Sequence, residues 1–155
     1  MACVFCSEVI GKTGGLEIYN DGETAVFLDK FPRTRGHICV APVEHHQDPF
    51  VSAPELARKV MTMVVDAGRA LTEYGAKGVN IGINVGKVAG QQVPHFHVHV
   101  IPRYEAGDVV EIEPAFVDTP WRQKSIKLTE AETNEIRDRL TVIFAGMMGG
   151  ARAGV

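Results

Sequence analysis

Three histidines, His95, His97 and His99, alternate with Phe96, Val98 and Val100 in the stretch P-H-F-H-V-H-V-I-P-R. Half of the chain's six histidines fall within these five residues. Imidazole can serve as metal ligand, nucleophile or proton donor near neutral pH. The alternation has the period of a strand, which sets the three rings in a row on one face with the apolar residues behind them. Three polar rings side by side gain nothing from packing, so a purely structural reading is weak. A metal ion is one reading, but from a flat strand it would not easily take all three, and could take one or two with other ligands from elsewhere. A strand rises roughly 3.3 Å per residue, which spreads His95 and His99 over about 13 Å, whereas a metal–nitrogen bond is about 2 Å. The other reading divides the labour: one ring for structure or metal, one as nucleophile, one as proton donor or phosphate partner. The triplet alone leaves both open.

The cysteines add a second signal. Cys3, Cys6 and Cys39 are an odd, small set and not a disulfide framework. Cys3 and Cys6 form a C-x-x-C at the extreme N-terminus. A redox pair sits after a strand and at a helix start, so this position favours half of a zinc site. Cys39 lies in an apolar run and reads as a buried small hydrophobe.

These residues need elements to hold them. Leu16–Tyr19 and Thr24–Leu28 read as strands around the turn signal Asn20-Asp21-Gly22. A loop from Asp29 to Arg35 leads to a third strand, His37–Ala41. Ser52-x-x-Glu55 is a capping box, and Pro54 suits the first turn of a helix. Leu56, Val60, Met63, Val64, Ala67 and Leu71 follow at helical spacing, until Gly75 and Gly78. A fourth strand, Val79–Val85, a glycine-containing loop, Gly86–Gln92, and the histidine strand come next. Residues 104–128 are irregular and contain the single Trp121. Thr129-x-x-Glu132 caps a second helix through Ile136, Leu140, Ile143 and Phe144. Short turns favour antiparallel pairing, so the class is α+β, with helices on one face of a sheet. One domain spans 1–148, and 149–155 reads as a disordered tail. A net charge of -3 argues against a nucleic-acid binder working through a broad basic surface. No apolar run reaches the length of a membrane span, and no signal peptide is visible, which points to the cytoplasm.

The pattern H-F-H-V-H-V-I resembles the His-φ-His-φ-His-φ-φ signature of the histidine triad (HIT) family, where φ is apolar. Further segments match in order: C-V-F-C, F-L-D-K-F-P-R before G-H-I-C-V-A-P, Pro42-x-x-His45, and Asn84 followed by G-Q-Q. The resemblance covers roughly residues 2–103. It implies a five-stranded antiparallel sheet with two main helices, paired into a homodimer. It implies a nucleotide-binding hydrolase or transferase cleaving at the α-phosphate of a nucleoside monophosphate ester, amidate or anhydride. The alternative is a non-catalytic module that senses nucleotides.

By the same resemblance, His97 is the nucleophile that forms a nucleotidyl-histidine, and His99 reaches the phosphate or leaving group. No metal is required at the phosphate. In zinc-bearing relatives a C-x-x-C, an upstream histidine and the first triad histidine complete a structural site. Here these are Cys3, Cys6, His45 and His95, with His46 the rival to His45. Asp29 falls where relatives bind ribose hydroxyls. Phe5, Leu28 and Phe31 could sandwich a purine base of AMP, GMP or a conjugate. Asn84, Gly90, Gln91 and Gln92 fall near ribose and phosphate. Many phosphoramidase-branch relatives carry serine at the position of Gln92, and this chain departs from them with an amide.

Overall fold

Two strands in this chain are buried at every position, and the fold explains why. The computed structural model describes residues 3–12, 15–105 and 125–149. Five strands, β1 (Glu17–Asn20), β2 (Thr24–Leu28), β3 (Ile38–Pro42), β4 (Gly78–Gly82) and β5 (Val98–Arg103), form one antiparallel sheet in the order β1-β2-β3-β5-β4. Two long helices, α1 (Pro54–Tyr74) and α2 (Glu130–Gly149), accompany it. The expected α+β architecture, with five strands and two main helices, is therefore present. Short helical turns occur at Phe5–Val9 and Lys87–Ala89.

Alternate residues of β2 and β3 divide between two clusters, as the strand period requires, and β5 contributes to the first. Val26, Leu28, Ile38, Val40, Val98 and Val100 face the helices and pack with Val60, Val64, Leu71, Ile136, Leu140 and Phe144. Ala25, Phe27, Cys39 and Ala41 face the other way, against Val9 and Ile10 of the N-terminal turn. Central strands buried on both faces lose the polar alternation of a half-exposed sheet.

Three details differ from the sequence expectation. Only His99 of the triad lies in the regular ladder, since β5 starts at Val98. The β3–β5 pairing runs from Ile38↔Val100 to Val40↔Val98. Upstream of it the chain bends, with the His95 N–H donating to Val93 O, and Phe96 N–H pairs instead with His46 O of the loop after β3. β4 likewise ends at Gly82, short of Asn84. Finally, Ser52 does not cap α1. Its hydroxyl donates to Asp48 O at 2.9 Å, Ala53 occupies the cap position, and Pro54 starts the helix. The second capping box forms as read: Glu132 N–H donates to Thr129 Oγ1 at 3.2 Å, and Thr129 N–H to Glu132 Oε2 at 2.8 Å.

Helix α2 runs through Gly149, one residue into the expected tail. The rest of that tail and the segment around Trp121 lie outside the described residues. No helix among the described residues is long and apolar enough to cross a membrane.

Candidate active site

β5 and the bend before it bring His95, His97 and His99 to the face of the sheet opposite the helices. All three are buried. The His97 and His99 ring centroids are 4.9 Å apart. Register places Cys39 of β3 directly across from His99. The sheet thus delivers neighbouring rings without placing all three on one regular strand.

Hydrogen bonds assign the protons on two of the rings. His97 Nδ1 lies 2.6 Å from His95 O, and a carbonyl can only accept, so Nδ1 carries the proton. The lone pair of neutral His97 is then on Nε2. His37 was missed as a site residue in the sequence, where it reads as the first residue of a strand. It is fully buried, and its Nδ1 accepts the Arg33 backbone N–H at 3.1 Å. Its proton therefore sits on Nε2, which faces His99 Nδ1 at 3.1 Å. Neutral His99 accepts that bond and keeps its proton on Nε2, whereas an imidazolium at His99 donates from Nδ1 to Asp29 Oδ2, 3.3 Å away. The two triad rings thus present opposite polarity at the same atom: a lone pair on His97 Nε2 and an N–H on His99 Nε2.

Electrostatics supports this arrangement. Burial pushes His97 down to about 4 and His37 down to about 3, so both are neutral near pH 7. Burial opposes the Asp29 charge, but the His99 hydrogen bond and the neighbouring His37 and His99 rings outweigh it and hold the carboxyl well below the usual range. Asp29 Oδ2 lies 3.3 Å from His99 Nδ1 and 3.6 Å from His37 Nε2. Its Oδ1 accepts the Phe31 N–H at 2.8 Å. Asp29 therefore has protein partners on both oxygens, beyond the ribose contact expected from the resemblance.

A cavity of about 700 Å³ opens over these rings, bordered by His97, His99, Asp29, Asn84, Gly90 and Gln92. Phe5 and Phe31 form part of its apolar wall. Two expected residues are placed otherwise. Leu28 borders the cavity, but its side chain belongs to the helix-side core, because it sits one position out of phase on β2. Phe27, its neighbour, takes the wall position and meets the Phe5 ring edge-on at 5.0 Å. Gln91 turns away: its amide oxygen accepts the Gly86 N–H and its amide nitrogen donates to Gln47 O. Cys39 also borders the cavity, beyond its reading as a core residue. Strand phase was the signal that could have exchanged Leu28 for Phe27.

Among the described residues, two side-chain quartets have ligand atoms close enough to share an ion: Cys3, Cys6, His45 and His95, and Asp29, His37, Cys39 and His99. A metal-bound histidine donates its other ring N–H to an acceptor. His95 passes this test. Its Nδ1 faces both thiols at 3.5 Å, and its Nε2–H donates to Pro42 O at 2.8 Å. His45 Nδ1 faces Cys6 at 3.5 Å, while His46 Nε2 faces Glu44, which separates the two rivals. The inner quartet fails. His37 Nδ1 already accepts a backbone N–H, so its Nε2 carries a proton where a ligand needs a lone pair. Burial also pushes the Cys39 thiol up, keeping it an S–H that donates to Asp29.

A family model described as HIT domain matches residues 15–106. An uncharacterized HIT-like protein from Methanocaldococcus jannaschii is 36% identical over 127 residues, covering 81% of this chain and 98% of its own. The chain belongs to the HIT family. This places it among nucleotide-binding hydrolases and transferases. The HIT protein named "Protein hit" of Bacillus subtilis is 36% identical over 107 residues, 68% of this chain and 74% of its own. A zinc-bound histidine triad family protein from Mycobacterium smegmatis superposes with a TM-score of 0.74 at 34% identity, covering 96% of this chain and 97% of the other. A hypothetical histidine triad nucleotide-binding protein from Sulfolobus tokodaii shares the HIT fold, with a TM-score of 0.73 at 24% identity over 98% of this chain and all of its own.

The buried neutral rings make stability depend on pH. The unfolded chain takes up a proton at His37 below about pH 6.5, and the folded chain does so only near 3. Stability is therefore present above that window and is lost as pH falls through it. Urea denaturation at about pH 6.5 and about pH 5 should show this loss, and His37→Gln should flatten the slope by on the order of 1 kcal/mol per pH unit. An unchanged slope in the variant would mean that His37 titrates normally in the folded chain.

Proposed function

We propose that this HIT protein hydrolyses or transfers a nucleoside monophosphate through a nucleotidyl-His97 intermediate. The observation that carries the reading is the opposite polarity of the two Nε2 atoms over one cavity. His97 Nε2 attacks the α-phosphorus, forming an N–P bond. The bond from phosphorus to the leaving oxygen or nitrogen breaks, and its electron pair goes to the leaving atom. His99 acts as an imidazolium in this step. Its Nδ1–H faces Asp29 Oδ2, and its Nε2–H passes to the leaving atom. Water then attacks phosphorus, the N–P bond breaks, and His99 takes the water proton back.

The remaining cavity residues suit a nucleotide. Asn84 Oδ1 is buried with no hydrogen-bond partner, a state that costs about 1–3 kcal/mol and is relieved by a ribose or phosphate contact once the amide is oriented for it. Gly90 and Gln92 border the same side. Phe5, Phe27 and Phe31 supply apolar surface for a purine, as in AMP, GMP or a conjugate. The outer quartet suits zinc with a structural role, since two thiolates and two imidazoles close a tetrahedral set. Such an ion fixes geometry and leaves the phosphate chemistry to His97 and His99. A homodimer is consistent with β4, which lies at a sheet edge with Ile81 exposed on it and Ile83 exposed just beyond it, and with Met61 and Val65 exposed on α1.

Two measurements test this reading. Release of AMP from an adenosine phosphoramidate or diadenosine polyphosphate should fall on the order of a thousandfold or more in His97→Ala and by about a hundredfold or more in His99→Ala. Equal turnover by His97→Ala and the parent chain would remove His97 as nucleophile. Metal analysis should find one zinc per chain, lost in Cys3→Ser/Cys6→Ser and kept in Cys39→Ser. Zinc loss in Cys39→Ser would instead assign the ion to the inner quartet.

A further inference from the structure

The N-terminal turn combines two tasks. Cys3 and Cys6 supply two of the four ligand atoms in the outer quartet. Val4, Phe5, Glu8 and Val9, interleaved with them or one turn later, border the cavity. The Phe5 ring lies 5.0 Å from Phe27 and 5.1 Å from His97. The turn is thus both half of a metal site and one wall of the proposed nucleotide pocket.

Its attachment to the body is narrow. The hydrogen bonds of residues 3–10 stay local: Ser7 N–H to Cys3 O, Ile10 N–H to Phe5 O, and Lys12 N–H to Val9 O. Among the described residues, polar contacts from 3–10 to the body of the chain are those of the two thiols with His45 and His95. Otherwise Phe5, Val9 and Ile10 hold it by apolar contact with Ala25, Phe27, Cys39 and Ala41. A five-residue helical turn has no stability of its own. Ordering the backbone of residues 3–10 costs more than these few side chains return on burial.

The opposite end of the contact is rigid. His95 is fully buried, its Nε2–H is fixed by Pro42 O, and its carbonyl holds His97. An ion shared by the thiols and His95 would tie a labile turn to a fixed post. We propose that the outer metal cluster is a latch for the pocket wall: metal held by Cys3, Cys6, His45 and His95 sets nucleotide affinity by keeping Phe5 against Phe27 and His97. The affinity part rests on the nucleotide reading of the cavity. The latch itself does not.

Hydrogen exchange separates the two. The full chain is compared zinc-loaded and after chelation. The Ser7 and Ile10 amides should exchange at least roughly tenfold faster without zinc, while β2 and β3 keep their protection. Unchanged protection at Ser7 and Ile10 would overturn the latch, and so would loss of protection throughout the sheet, which would make zinc a global stabiliser. AMP should bind the zinc-loaded chain at least roughly tenfold more tightly. Phe5→Ala should weaken AMP in the loaded chain and remove most of the effect of zinc. A zinc effect of the same size with and without Phe5 would overturn the route through this ring. Should AMP bind neither form while exchange still responds to zinc, the nucleotide reading falls and the latch stands.

Discussion

The short contact between His97 Nδ1–H and the His95 carbonyl is the constraint on which the site depends. A buried imidazole has one proton to place, and every other assignment follows from where it goes. A donor bond to a backbone carbonyl cannot be reversed, so the lone pair of His97 is directed to Nε2 whatever occupies the cavity. The second ring is governed from the other side. A backbone N–H at Arg33 fixes His37, and His37 fixes His99. Two backbone groups, one donor and one acceptor, thereby make adjacent imidazoles chemically unlike.

The fold supplies what these bonds require. They survive only in a dry setting, because water would offer both nitrogens alternative partners. Burial of β2 and β3 on both faces provides that setting. Cys39 and Ala41 pack beneath the site while Ile38 and Val40 pack beneath the helices. Register then decides neighbours: Cys39 pairs with His99, and His37 immediately precedes β3, within reach of the same ring. The bend before β5 matters equally, since it turns the His95 carbonyl toward His97 and sends the His95 ring to the outer cluster.

The architecture was largely legible in the sequence, because strand period, the Asn20-Asp21-Gly22 turn and the α1 stripe are local signals. The family signature carried the triad. What stayed hidden depended on phase or on partners distant in the chain. Leu28 and Phe27 are equally apolar, and only the pairing of β2 with β3 decides which one faces the cavity. His37 looked like an ordinary strand residue because its partner, His99, is far along the chain. Ser52 and Thr129 head equivalent capping patterns, yet only Thr129 caps its helix, since Asp48 O captures the Ser52 hydroxyl. The outer quartet was readable by resemblance as a candidate metal site, and the position of Cys6 sets His45, not His46, beside its thiol.

Imidazole tautomers can be read directly from the nitrogen-15 shifts and long-range couplings of the histidine rings in the zinc-loaded chain near neutral pH. The account requires neutral His97 with its proton on Nδ1, and His37 with its proton on Nε2. It requires His99 to carry a proton on Nε2, whether or not Nδ1 is also protonated against Asp29. A proton on Nε2 of neutral His97, or a neutral His99 protonated on Nδ1 alone, would contradict it.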